Sequence, residues 1–145
     1  MSELHSDAGV VVIAVNALAA LAGLYAWWRG PLRVFWPLLR SGQVLVMLEA
    51  VIGAALLLDG RDLPRLHLIY GLMPIAVAFV AEQLRLASAD TVLSQRGLES
   101  AKEVATLPEP EQRALVAGII RRETGVMAAS AAVVALLCLR AQGWL

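Results

Sequence analysis

The sequence has one cysteine, Cys138, and two histidines, His5 and His67. A single cysteine excludes an internal disulfide and any paired-thiol redox centre within one chain. Set in an apolar run, Cys138 reads as a small buried hydrophobe. Two histidines and one cysteine are too few for an intramolecular structural zinc site. No Cys-x-x-Cys-His haem attachment occurs, and no phosphate-binding glycine loop, Gly-x-Ser-x-Gly elbow or His-Glu-x-x-His helix. No cluster of carboxylates has metal-ligand spacing, so no metal site is expected. Charge is scarce too: 17% of residues are charged, against roughly 25% in soluble domains. The formal net charge is zero, which leaves no basic surface for nucleic acid. Lys102 is the only lysine; the other basic residues are arginines. With so much Ala, Leu, Val and Gly, this is the usage of a GC-rich bacterial genome.

What is present is apolar sequence in long runs. Apolar residues make up 59% of the chain and gather into four segments, 8–28, 41–58, 66–86 and 122–140. A bilayer-spanning helix needs about 20 such residues. The expected fold is therefore an all-α integral membrane protein, a single domain over 1–145 with four transmembrane helices in an antiparallel bundle. Ala20-Leu21-Ala22 resembles a signal-peptide cleavage site, but the residues before the first run carry Glu3 and Asp7 and no Lys or Arg, so the run reads as a retained span. The last run is short, and Arg121 and Arg140 must snorkel to the surfaces. Residues 87–113 form the one extended polar region. There Val92, Leu93, Leu98, Ala101, Val104 and Leu107 recur at helical spacing, which predicts an amphipathic helix over about 88–113, with Ser88-Ala89-Asp90 as a start. Pro108 to Glu111 then opens the last helix, expected from about Pro110 to Arg140.

Aromatic residues beside basic ones mark the membrane interfaces: Tyr25, Trp27, Trp28, Phe35 and Trp36 flank Arg29, Arg33 and Arg40, with Gly30-Pro31 and Pro37 punctuating the turn, and Trp144 anchors the other side. Orientation follows from Lys and Arg bias. Arg29, Arg33, Arg40, Arg85, Arg96, Lys102, Arg113, Arg121 and Arg122 fall on one side; Arg61, Arg65 and Arg140 fall on the other. The richer side belongs in the cytoplasm. This places loops 29–40 and 87–113 on the cytoplasmic side of the plasma membrane and both termini outside. Small residues at four-residue spacing offer close-contact faces: Ala19 with Gly23, Gly125 with Ala129, Ala128 with Ala132 and Leu136, Ala131 with Ala135.

The polar groups inside the runs are the candidate site. Glu49 lies nine residues from Arg40 and ten from Asp59, near mid-bilayer by counting. An ionised carboxylate there costs about 2.5–3.5 kcal/mol on insertion scales, so it must face the bundle or a water cavity. It reads as a proton, cation or ligand contact, or as a packing carboxyl bonded to a neighbouring helix. Depth selects its partners at about 1.5 Å per residue. Asn16 and Pro74 lie at similar levels; Pro74 lacks an N–H and leaves the Tyr70 carbonyl open, and the Tyr70 hydroxyl is a further candidate. His67 and Tyr70 share a face of the third helix. His67 reads as a haem, metal or quinone contact, a proton entry point, or an interfacial histidine bonded to the 59–65 turn. A bis-histidine haem within one chain would require the N-terminal tail, with His5, to fold over the bundle. Glu82 and Arg85 form an interfacial charge cluster with Arg121, Arg122 and Glu123.

Three functions are open at this point. The first is a non-catalytic accessory, assembly or scaffolding subunit, with the bilayer and a membrane-protein partner or second copy as its partners. The second is a dimeric proton- or cation-coupled small transporter using Glu49. The third is a haem b- or quinone-binding redox protein using His67 and Tyr70. No cofactor is required by any motif.

Overall fold

The computed structural model describes residues 2–60, 64–98 and 100–145. Five helices follow in order: α1 (Ser2–Arg29), α2 (Phe35–Leu58), α3 (Arg65–Gln95), the one-turn α4 (Ala101–Val104) and α5 (Glu109–Ala141). No strand occurs among the described residues. Four of the helices are long and apolar enough to cross a membrane. Three residues of the expected 59–65 turn, Arg61, Asp62 and Leu63, lie outside the described residues.

The helices form because the apolar runs carry a buried seam at helical spacing, in steps of three or four residues in α1 and α2 and of seven in α3. In α1 the seam is Gly9, Val12, Asn16, Ala19, Gly23 and Ala26. In α2 it is Phe35, Leu39, Gly42 and Val46, and in α3 Pro74, Ala81 and Ser88. Helix α5 is buried on a broader face, with Thr124, Met127, Ala128, Ser130, Ala131, Val134 and Ala135 inside. It needs the broader face because it is central: α1 and α3 both pack along it, while α2 packs mainly on α1 and touches α3 and α5 only lightly. Ala19, Phe35, Leu39, Ala81, Met127 and Ala131 form the larger core cluster; Val12, Val46 and Val134 form the smaller one.

The outer surface is apolar. Leu18, Leu21, Leu48, Val51, Leu72 and Phe79 are each more than half exposed. Water would penalise such a contiguous surface and lipid would not.

Three glycines set the antiparallel register of α1 and α2. A Cβ at Gly42 would stand 2.9 Å from Asn16 Oδ1, one at Gly53 3.4 Å from His5 Cε1, and one at Gly9 3.5 Å from Glu49 Oε1. Asn16 is thus level with Gly42, Gly9 with Glu49 and His5 with Gly53. Of the small-residue faces expected, Ala19 and Gly23 are used against Phe35 and Ala128, and Ala131 and Ala135 are buried; Ala129 and Leu136 stay outside.

The polar region differs from expectation. No single helix covers 88–113. Helix α3 runs on without a break to Gln95, so Ser88 is interior to it: fully buried, its hydroxyl donates to the Leu84 carbonyl at 2.9 Å. At about 1.5 Å per residue the 31 residues span about 46 Å, well past a hydrocarbon core of about 30 Å. The stop comes at Gly97, whose φ of +67° is the left-handed conformation glycine adopts without strain. Leu98 N–H donates to the Leu93 carbonyl and Gly97 N–H to the Ser94 carbonyl, closing the helix end. The hydrophobic spacing seen across 92–107 is split between the end of α3 and α4. Pro37, expected in the turn, lies in the first turn of α2, where its missing N–H has no helical partner to lose.

Candidate functional site

At the α1 N-terminal end, one polar side chain arrives from each of three helices. Because α1 begins at Ser2, His5 is helical and points across to α2; no tail has to fold over the bundle. Its Nδ1 lies 2.9 Å from Glu49 Oε1, with the two side chains 18 and 17% exposed. Its Nε2 lies 3.5 Å from His67 Nε2, and the two rings meet edge to face with centroids 5.7 Å apart. His67 Nδ1 lies 3.0 Å from the Ala141 carbonyl at the end of α5. All four long helices therefore meet in one chain of contacts: Glu49, His5, His67 and the Ala141 carbonyl. Gln142, just past α5, donates to the Ser6 carbonyl at 3.2 Å and lies against Gly9, which closes this end between α1 and α5.

The contacts dictate where protons must sit. A backbone carbonyl only accepts, so His67 Nδ1 carries a hydrogen. In neutral His67 the Nε2 is then a lone pair. It faces the other Nε2, so a hydrogen on His5 Nε2 is needed to avoid two opposed lone pairs. His5 Nδ1 and Glu49 Oε1 are then left with one proton between them. That proton sits on the carboxyl, leaving both rings neutral, or on His5, making an imidazolium–carboxylate pair. Either way the cluster has zero net charge, the state a low-dielectric site tolerates best. The pair is close but not aligned as a hydrogen bond: His5 Nδ1 and Glu49 Oε2 are buried and have no hydrogen-bond partner among the described residues. An unsatisfied buried polar atom costs about 1–3 kcal/mol.

Other groups around it are few. Cys138 on α5 is within electrostatic reach of Glu49. Arg140 stacks over the Tyr70 ring, 5.7 Å from its centroid. Among the described residues, no three or more His, Cys, Asp or Glu side chains are grouped to hold a metal ion. The two histidine rings are in direct contact, so a haem or quinone ring between them would have to part α1 from α3. Next to the cluster lies the apolar layer of Val12, Val46 and Val134.

The residues singled out from sequence separate. The structure does not bring Asn16 to Glu49: Asn16 sits level with Gly42, seven residues along α2 and about 10 Å away at 1.5 Å per residue. Its Nδ2 donates to the Val12 carbonyl at 2.9 Å, so it is satisfied within α1. Pro74 is fully buried in the α3 seam, and Tyr70 is engaged with Arg140. Neither has a recorded contact with Glu49. His67 meets the Ala141 carbonyl of α5 and His5 of α1; Arg61, Asp62 and Leu63 of the turn expected to bond it lie outside the described residues. Sequence reasoning weighed His5 only as a haem ligand and did not pair it with Glu49, although it is one of only two histidines.

Glu82 belongs to a separate cluster at the opposite end. Arg85 Nε donates to its Oε2 at 2.9 Å and Gln43 Nε2 to its Oε1 at 3.0 Å, and Arg40 forms an ion pair with the same carboxylate. The carboxylate is therefore the pin between α2 and α3, which otherwise scarcely touch. Arg121, by contrast, stacks on Trp27, 5.5 Å from the ring centroid, and does not join Glu82. Arg122 and Glu123 also stay outside that cluster. Glu82→Ala removes every one of these bonds from a quarter-exposed side chain. The expected loss is about 1–3 kcal/mol, read as a lower thermal midpoint in detergent, with Arg85→Ala costing less because Arg40 and Gln43 remain.

No family model, curated protein or solved structure matches the chain. The site is therefore read from its own chemistry.

Proposed function

We propose that this is a multi-pass plasma-membrane protein that binds protons at the His5–Glu49–His67 chain, as the proton- or cation-coupled element of a small carrier. The observation that supports the reading is that chain: three titratable side chains from three helices, in contact at one end of the bundle. Uptake of a proton changes how tightly α1 holds α2 and α3 at that end. Helix α2, held mainly by α1 and only lightly by α3 and α5, is the helix proposed to move. With both termini outside, as the arginine bias indicates, the cluster takes its protons from the external side. Onward passage requires the Val12, Val46 and Val134 layer to open, as alternating access demands. Four helices enclose little space, so the working unit is a homodimer.

The test uses purified protein in lipid vesicles with a trapped pH-sensitive dye. Wild type is expected to pass protons above the background of empty vesicles when a voltage is imposed. Glu49→Gln keeps the size of the side chain and removes the ionisable group; it is expected to cut the flux more than tenfold while melting like wild type. Equal flux from the two would refute the reading. Intact flux in Glu49→Gln, with misassembly in Glu49→Leu, assigns Glu49 a packing role.

An accessory or assembly subunit is the second reading, supported by a different observation. Within the apolar windows of α2 and α3 only 17 and 11% is buried inside the chain, which leaves two apolar helix faces for a membrane-protein partner or a second copy. It predicts that Glu49→Gln leaves function intact and that polar substitutions at Met47 or Val51 lose the partner in a mild-detergent pull-down.

A further inference from the structure

At the end of the bundle opposite the histidines, two hollows adjoin. One, of about 670 Å³, lies between the end of α1 and the start of α5 and is lined by Trp27, Trp28, Arg29, Arg113 and Arg121 among others. The second, of about 630 Å³, runs along the α1–α5 junction toward the middle of the bundle. Its walls are Leu21, Leu24, Gly125, Ala129 and Ala132, with Arg122 at the mouth. Trp27 borders both. Its indole lies over Gly125, where a Cβ would stand 2.9 Å from Nε1, so the glycine lets the ring fold inward and leaves the groove open beside it.

The first hollow is lined by three arginines, Arg29, Arg113 and Arg121, and one carboxylate, Glu109. Arg113 is paired with Glu109. Arg29, Arg121 and Arg122 form no ion pair with a carboxylate among the described residues. Arg29 and Arg121 instead lie against the faces of Trp28 and Trp27, each 5.5 Å from the ring centroid. A guanidinium stacked on an aromatic face keeps its N–H edge free in the plane, the arrangement that receives a phosphate in two parallel hydrogen bonds. The tryptophans set this level as the interface between lipid tails and headgroups. In sequence the arginines belong to separate segments, and region 87–113 alone is close to charge-balanced. Only the packing of α1 on α5 gathers them.

We propose that this composite site binds one anionic glycerophospholipid. Its phosphate is held by Arg29 and Arg121, and one acyl chain lies in the groove walled by Leu21, Leu24, Ala129 and Ala132. A polar pocket of unpaired cations joined to an apolar channel of chain width matches an amphiphile of that charge. A free phosphate would use the first hollow only, and a second copy of the chain would need an acidic face to meet the arginines. The inference rests on the membrane reading and is independent of the proton chain at the other end.

The test is native mass spectrometry of the full-length protein released from detergent, titrated with phosphatidylglycerol or with phosphatidylcholine of identical chains. Wild type is expected to retain one phosphatidylglycerol at least tenfold more tightly than phosphatidylcholine. Arg29→Gln combined with Arg121→Gln is expected to abolish that preference; Arg65→Gln, at the far end of the bundle, is expected to leave it unchanged. Ala129→Phe fills the groove from an exposed position and is expected to lower retention of both lipids about tenfold. It keeps the test open if the arginine variants fail to fold. Equal retention of the two lipids by wild type overturns the proposal. So does competition by glycerol phosphate at concentrations that match the lipid, which would mean that only the anion is recognised, or a dimer in which the groove is closed to lipid. Loss of lipid selectivity with intact proton flux separates this site from the proposed proton function.

Discussion

Leucine in place of Gly23 is expected to leave no folded bundle. Gly23 sits on the buried seam of α1, where the α1 backbone passes against Phe35 of α2 and Ala128 of α5. A single Cβ added there would lie 2.5 Å from Phe35 Cε2 and 2.6 Å from Ala128 Cβ. Neither neighbour can retreat, since Phe35 is 1% exposed and Ala128 is held in the central helix. Overpacking by a methylene or two already costs about 1–3 kcal/mol. Leucine adds four heavy atoms where one does not fit, against a total stability of about 5–15 kcal/mol for a folded domain. Gly23→Ala should lower the thermal midpoint in detergent clearly, and Gly23→Leu should give aggregated protein without a cooperative transition. Gly71 is the control. It is a helical glycine with nothing within 4 Å of its would-be Cβ, so Gly71→Ala should melt at or above wild type, helped by up to about 1 kcal/mol of helix propensity. A Gly23→Leu protein that melts like wild type would show that α1, α2 and α5 do not meet as described.

A second large effect is expected at His5 and Glu49, in the form of non-additivity. Removing one partner of a buried polar contact leaves the other group unsatisfied at a cost of about 1–3 kcal/mol, whereas replacing both by apolar groups of similar shape is often nearly neutral. His5→Leu and Glu49→Leu should each destabilise the protein by about 1–3 kcal/mol at neutral pH; partial exposure of both side chains trims the figure. The double variant should recover most of the loss. The interaction energy from the cycle is expected at the upper end of the 0.5–3 kcal/mol range for contacting residues. His67→Leu should couple to His5 and much less to Glu49, since His5 stands between them. If the single losses simply add, the three side chains are not one unit. Proton flux should vanish in every variant of the cycle, including the stable double one, which distinguishes a working proton site from a packing device.

Much of the architecture was legible along the chain. Four runs of spanning length, with tryptophans and arginines at their ends, are enough to specify four long helices, since lipid leaves an apolar segment no other way to satisfy its backbone. The last helix, expected from about Pro110 to Arg140, is Glu109–Ala141. The candidate site was legible only in its ingredients. Counting residues from the ends of each run placed Glu49 level with Asn16 and Pro74, as though every helix started at the same surface. In fact α1 begins at Ser2 and α2 at Phe35, earlier than their apolar runs. The glycine contacts at Gly9, Gly42 and Gly53 then slide the two helices so that Glu49 meets His5.

Composition and run length thus determined the helical class, the number of long helices and the presence of a few costly polar groups among them. These are properties of each segment in its solvent, so they can be read one segment at a time. The tertiary structure decided which of those groups meet. Helix order around α5, antiparallel register and the continuation of α3 past its apolar run depend on where small residues permit close approach between segments distant in sequence. For the same reason the pairing of His5 with Glu49 and His67, and the gathering of Arg29 with Arg121 beside Trp27, are invisible until the helices are packed.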